Sequence, residues 1–216
     1  MLNSLRPRWI LTAGLCLAAL VAGCSDATGV PMTHVSLFLT DAPGDIQAAV
    51  VTIDRIELIP GDGDPLTDDG GKIILREEDL TVDLLHLADS TALIVDNALI
   101  PQGRYHEVRF VVSGAYLAVE GEGGATRIYA SSPDYAGLPE GTTVDGELRL
   151  PSYASSGLKI KLPAGLAEAG GDGLWALLDF DVAESFGRGV GQGDVWVMHP
   201  VIRATAVEPP LAPPQP

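Results

Sequence analysis

The chain has almost no cysteine, few aromatic residues and few cations. Of 216 residues only two are cysteines, Cys16 and Cys24, and both fall at the N-terminal end. Beyond Cys24 no thiol remains for an internal disulfide or a thiol nucleophile, so the core must hold without covalent staples. Lys and Arg together number 13 against 29 Asp and Glu. Arg6 and Arg8 lie in a leader-like segment, and without them 11 basic against 29 acidic side chains leave a formal charge of −18. Such a surface repels phosphate backbones and anionic headgroups, which argues against nucleic acid as a partner. Aromatics make up 6% of the chain, little material for stacking platforms. Trp175 and Trp196 sit among apolar strand residues and are expected in the core. Tyr129, Tyr135 and Tyr153 flank the Ser- and Gly-containing stretch 131–156 and are candidates for a shallow glycan-binding surface.

Catalytic signatures are missing too. The Gly-x-Ser-x-Gly elbow does not form at Ser155, Ser156 and Gly157, because Tyr153 stands where the first glycine belongs. His34, His86, His106 and His199 are dispersed, without a His-x-x-x-His pair for zinc. Gly70-Gly71-Lys72 lacks the earlier glycine and the following hydroxyl of a phosphate-binding loop. The expectation is a protein that is not an enzyme and carries no resident cofactor.

What is present begins with a leader. Arg6 and Arg8 precede an apolar run, Trp9 to Ala22, too short for the roughly 20 residues of a spanning helix. The segment Leu20-Val21-Ala22-Gly23-Cys24 resembles the lipobox of bacterial lipoproteins. That resemblance implies cleavage after residue 23, lipidation of Cys24 and anchorage in a membrane. Two or three acyl chains anchor stably where one exchanges, at about 0.8 kcal/mol per buried methylene. Ser25, where inner-membrane lipoproteins of Gram-negative cells usually carry Asp, implies the outer membrane if the host is of that kind. Residues 24–33 read as a lipidated cysteine and flexible tether, able to hold the domain roughly 30 Å from the membrane. Residues 208–216 read as a Pro-rich tail, which leaves 34–207 as one folded domain.

Within 34–207, short alternating runs predict strands. Val35, Leu37 and Leu39 alternate with Ser36, Phe38 and Thr40, and the run His106 to Val112 behaves likewise. Residues 53–59, 72–75, 116–120, 127–130, 158–162, 175–182 and 195–205 also read as strands, with Gly-rich turns between them. Asp79 to Ala88 stays open between helix and strand. The pattern predicts an all-β fold with little helix, an antiparallel β-sandwich of immunoglobulin or prealbumin type.

Acidic oxygens are the one metal-binding signal. Hard cations such as calcium take six to eight oxygens from carboxylates and loop carbonyls. Asp62 and Asp64, with Asp68 and Asp69, crowd one Gly-rich loop; Asp179 and Asp181 share one face of a strand, and Asp41 begins a loop. Leu66 and Thr67 break the EF-hand pattern in the first of these. Calcium is therefore a possible ligand, against the plainer reading in which the loop is a solvated hairpin and Asp41, Asp179 and Asp181 cap amides or pair with Arg109 or Arg203.

Several phrases recur together along the chain: Leu39-Thr40-Asp41-Ala42-Pro43, Asp83-Leu84-Leu85, Pro101-Gln102-Gly103-Arg104-Tyr105 with Val108-Arg109-Phe110, Ser156-Gly157-Leu158-Lys159-Ile160, Leu178-Asp179-Phe180-Asp181 with Glu184-Ser185, and His199-Pro200-Val201-Ile202-Arg203. In order and spacing they resemble the domain-of-unknown-function family numbered 4382, found in prokaryotic lipoproteins and surface proteins. The resemblance covers nearly all of 34–205 and implies a β-sandwich at the cell surface; it supplies no catalytic residues. The function expected is a lipid-anchored envelope protein acting as a non-catalytic binding or structural module toward an envelope protein or surface glycan, with calcium or small-ligand binding as the alternative and an enzyme with an unrecognised site behind both.

Overall fold

The computed structural model describes residues 30–42, 46–61, 71–87, 90–151, 153, 155–164, 168–171, 173–188 and 194–208. Fourteen strands are found among them. A smaller sheet pairs β1 (Met32–Ala42), β5 (Ala92–Pro101), β11 (Leu174–Asp181) and β14 (Ile202–Ala206) in the order β14-β11-β1-β5. The larger sheet is built on two long strands, β2 (Ile46–Pro60) and β6 (Gly103–Glu120). Beyond β2 lie β3 (Ile73–Arg76) and β4 (Leu80–Asp83); beyond β6 lie β7 (Thr126–Ala130), β9 (Leu158–Lys161) and β10 (Glu168–Ala169). The path continues from β7 through β8 (Gly146–Arg149) and β13 (Val195–Met198) to β12 (Phe186–Arg188).

The two sheets enclose one continuous core. Val35, Leu37 and Leu39 from the small sheet pack with Ile53, Ile56, Phe110 and Leu117 from the large one. The all-β sandwich expected from the alternation is thus present, but it is not purely antiparallel. β1 pairs with β11, β7 with β8 and β8 with β13 in parallel. The whole of the large sheet's central hairpin separates β1 from β11 in the chain, so no tight turn forces them antiparallel.

The expected strand over 195–205 is two strands in different sheets. Pro200 cannot donate to a ladder, and at the break the His199 and Val201 amides donate to the Ser185 carbonyl and hydroxyl. The ambiguous stretch 79–88 divides as well. β4 ends at Asp83, whose Oδ1 accepts from the Leu85 amide at 3.2 Å and starts the 3-10 turn Leu84–Leu87.

The long strands are continuous because they carry bulges. Thr52 pairs with Gly114, Ile53 with Val112 and Arg55 with Val111, so Ser113 and Asp54 are extra residues on facing strands. Each insertion shifts the inward set by one. On β2 the core side chains change from Ala49, Val51 and Ile53 to Ile56 and Leu58; on β6 they change from Val108, Phe110 and Val112 to Ala115, Leu117 and Val119.

The stretch 131–145 folds over the outer face of one end of the large sheet. Tyr135, Leu138 and Val144 cover Val50, Tyr116, Ala118 and Ala130 in a second apolar cluster. The Tyr135 hydroxyl lies 2.6 Å from Thr52 Oγ1, which lies 2.8 Å from Thr81 Oγ1.

Candidate binding surfaces

The carboxylates singled out in the sequence are not gathered into one place. Cys24, Asp62 and Asp64 lie outside the described residues. Asp41 stands opposite Phe180 in the parallel register of β1 and β11, and directly opposed residues share a face. It is accordingly buried on the core side, where its Oδ1 accepts from the Val182 amide at 3.1 Å. Asp179 and Asp181, one residue to either side of Phe180, turn to the outer face. Asp181 accepts from the Glu184 amide at 3.0 Å, capping the single helical turn Val182–Ser185, and meets Arg203 at 3.4 Å. Two of the three thus do what the plainer reading expects. Among the described residues no group of three or more His, Cys, Asp or Glu side chains is disposed to hold a metal ion.

The aromatic expectations change. Tyr129 is buried against Trp196, with ring centroids 5.9 Å apart, and Tyr135 is clamped over Gly114. Tyr153 packs against the main core. These three do not form a surface, because the stretch 131–145 folds inward to cover an apolar sheet face. Trp175 is not a core residue either. It points outward from β11 and stacks on Phe38 of β1, with centroids 6.2 Å apart.

A groove of about 660 Å³ runs between Ala130, Pro133, Thr143 and Glu147, and one of about 510 Å³ adjoins it along Ser113, Leu148 and Arg149. Their polar groups are engaged structurally: Ser131 Oγ accepts from the Ala115 amide, and Arg149 pairs with Glu147 at 3.1 Å.

A charged lattice on the outer face of the large sheet was not anticipated. Three strands carry charges two residues apart: Arg55 and Glu57 on β2, Glu107 and Arg109 on β6, Lys159 and Lys161 on β9. A two-residue spacing puts both side chains on one face. The register then lines them up, Glu57 against Arg109 against Lys159, and Glu107 against Lys161. Lys72, just before β3, reaches Glu57 at 2.6 Å, and Arg55 meets the same oxygen at 2.6 Å. Glu107 is held by Arg109 at 2.7 Å and Lys161 at 2.9 Å. The glutamates are 1% and 2% exposed, roofed by the stems of their partners. The face thus holds all three lysines of the chain. Five cations against two carboxylates leave +3 on a protein that is otherwise strongly acidic. The spacing was visible in the sequence; which strands adjoin was not.

Burial pulls the Glu57 carboxyl up in pKa, but hydrogen bonds from Lys72 and Arg55 outweigh it and hold the group below the ordinary glutamate value. Glu107 is the same, with burial opposed by Arg109 and Lys161. A carboxyl depressed in the folded state contributes stability above its unfolded pKa, and that contribution is lost as pH falls through the folded value. Stability should therefore be level down to the unfolded value of 4.5 and decline below it. Urea melts across this range should show a Glu57→Gln, Glu107→Gln double variant about 1–2 kcal/mol weaker near neutrality, discounted because the cations are partly in water. Its acid limb should be flatter; equal acid limbs in the two proteins would show that other carboxylates control the decline.

Comparison with curated proteins and with solved structures returns no match. The family described as Domain of unknown function (DUF4382) matches residues 32–200, a span containing both sheets' central strands and the charged lattice, and the chain belongs to that family.

Proposed function

We propose that this is an exported, lipid-anchored cell-envelope protein whose sandwich is a non-catalytic binding module, and that it meets an anionic surface glycan through the charged lattice of β2, β6 and β9. The observation that carries this reading is the concentration of every lysine of the chain on one sheet face. At physiological ionic strength charges are screened over about 8 Å. A ligand on this face therefore responds most strongly to the charges of the lattice itself. Lys159 has no carboxylate within ion-pair distance among the described residues, and Lys161, 71% exposed, offers further donors to carboxylate or phosphate groups. The anchor reading rests on Cys24 and the apolar run before it.

The test is binding of the lipidated chain to an immobilised polyuronate, with neutral dextran as control. Binding should weaken with added salt, and Lys159→Glu should reduce affinity about tenfold, roughly 1.4 kcal/mol, with an unchanged melt. Equal retention on dextran, or indifference to Lys159→Glu, would remove the glycan reading and turn attention to an acidic envelope protein.

A further inference from the structure

The outer face of the small sheet changes character along its strands. Where β1 begins, Met32 points outward, and Leu99 of β5 stands opposite His34. Trp175 stands opposite Ser36, and in the next row Leu93, Phe38 and Leu177 line up across β5, β1 and β11. Met32, Leu93 and Leu99 are 45%, 48% and 58% exposed. None of these six apolar side chains belongs to either core cluster. Farther along, the same face becomes charged, with Asp179 opposite Arg203 and then the Asp181, Arg203 and Glu184 ion pairs.

We propose that the apolar end of this face lies against the lipid bilayer that holds the anchor. The proposal rests on the lipid-anchor reading of Cys24, and the chain itself selects the occupant. Five residues lie between Cys24 and Val30, so six backbone steps give a reach of about 20 Å at full extension. Val30 and Met32 are at the apolar end, so the tether holds that end at the membrane and leaves the Asp181 and Arg203 end in water. The composition suits the headgroup boundary: a tryptophan with a polar edge, a stacked phenylalanine, and leucine and methionine side chains, with His34 among them. Without the leader's Arg6 and Arg8 the chain carries −18 and gains nothing from anionic headgroups, so docking depends on apolar area and should be insensitive to salt. It also gives the lysine lattice, on the opposite side of the sandwich, an outward orientation.

The test uses the full lipidated chain in phosphatidylcholine vesicles brominated near the top of the acyl chains. Trp196→Phe leaves Trp175 as the single tryptophan after Cys24; the reciprocal Trp175→Phe reports from the large sheet. Trp175 emission should fall by about half, at low and high salt alike, while Trp196 emission is unchanged. Phe38→Asp or Leu99→Asp should abolish the quenching while the protein still floats with the vesicles through its acyl chains. Co-flotation of the wild type with unquenched Trp175 overturns the docking and leaves the anchor reading intact. Flotation that is absent, or unaffected by Cys24→Ser, overturns the anchor reading instead. Unquenched Trp175 with a specific crosslink from position 99 to one envelope protein would assign this face to a protein partner and likewise overturn the proposal.

Discussion

Gly114→Val should detach the stretch 131–145 from the sheet at a cost of about 2–4 kcal/mol, lowering the melting midpoint by roughly 5–10 °C. A Cβ at Gly114 would stand 2.5 Å from the Tyr135 ring, well inside van der Waals contact. The neighbour cannot simply rotate away. Its hydroxyl is fixed 2.6 Å from Thr52 Oγ1 and its ring packs against Tyr116 at 6.4 Å. Releasing Tyr135 uncovers Val50, Tyr116, Ala118 and Ala130, which have no other cover among the described residues than this stretch and its flanks. Tyr135→Ala should cost a similar amount by a different route, through lost burial and a lost hydrogen bond. Combining the two should add little, because the second change acts on a stretch already detached. Limited chymotrypsin digestion supplies an independent reading, since cleavage after Tyr135 should quicken when the stretch lifts off the sheet. Full additivity, or unchanged digestion of Gly114→Val, would show that the stretch is held from elsewhere.

This covering stretch also explains which parts of the fold were legible. Where apolar residues on the core face alternate with mostly polar ones on the other, as in β1 and the first half of β6, alternation reveals the strand directly. Residues 115–119 alternate poorly because both faces are buried, one against the main core and one under Tyr135. The strand therefore reads as a separate short element, although β6 runs unbroken from Gly103 to Glu120. Parallel pairing of β1 with β11 has no local signal at all. It sets Asp41 beside Phe180 and Thr40 beside Asp179, which no spacing within either phrase could show; that Asp41 shares the face of Leu39 while Asp179 turns away from that of Leu178 follows from alternation alone. The lattice of lysines fails to appear for the same reason: Lys72 and Lys161 meet carboxylates on strands that only the topology makes neighbours. Phe38 is the reverse case. Its place on the polar side of the first strand was evident, and its meaning came only with Trp175, Leu93 and Leu177 beside it.

Ile56→Asp should abolish folding, while deletion of Asp54, two residues before it, should leave the protein folded. Ile56 is fully buried in the main core. Its loss removes about 2–5 kcal/mol of aliphatic packing, and an unpaired carboxylate in its place adds several more. The total approaches or exceeds the roughly 5–15 kcal/mol that holds a domain together. Asp54 is half-buried, and among the described residues no ion pair holds it, so Asp54→Ala should change stability by no more than about 0.5 kcal/mol. It is the extra residue that sets Ile53 and Ile56 three places apart although both point to the core. Without it they stand two places apart, and regular alternation keeps Ala49, Val51, Ile53, Ile56 and Leu58 inside and Arg55 and Glu57 outside. Ser113 then remains as an ordinary bulge opposite an unbroken β2. Deleting Ser113 as well leaves two regular strands with matched pairing, so each deletion should cost no more than about 1–3 kcal/mol. Far-ultraviolet circular dichroism and solubility of the deletion variants decide the matter: an unfolded Asp54 deletion would mean that the facing bulges do more than keep the inward sets in phase, through the bend and twist they impose on the hairpin.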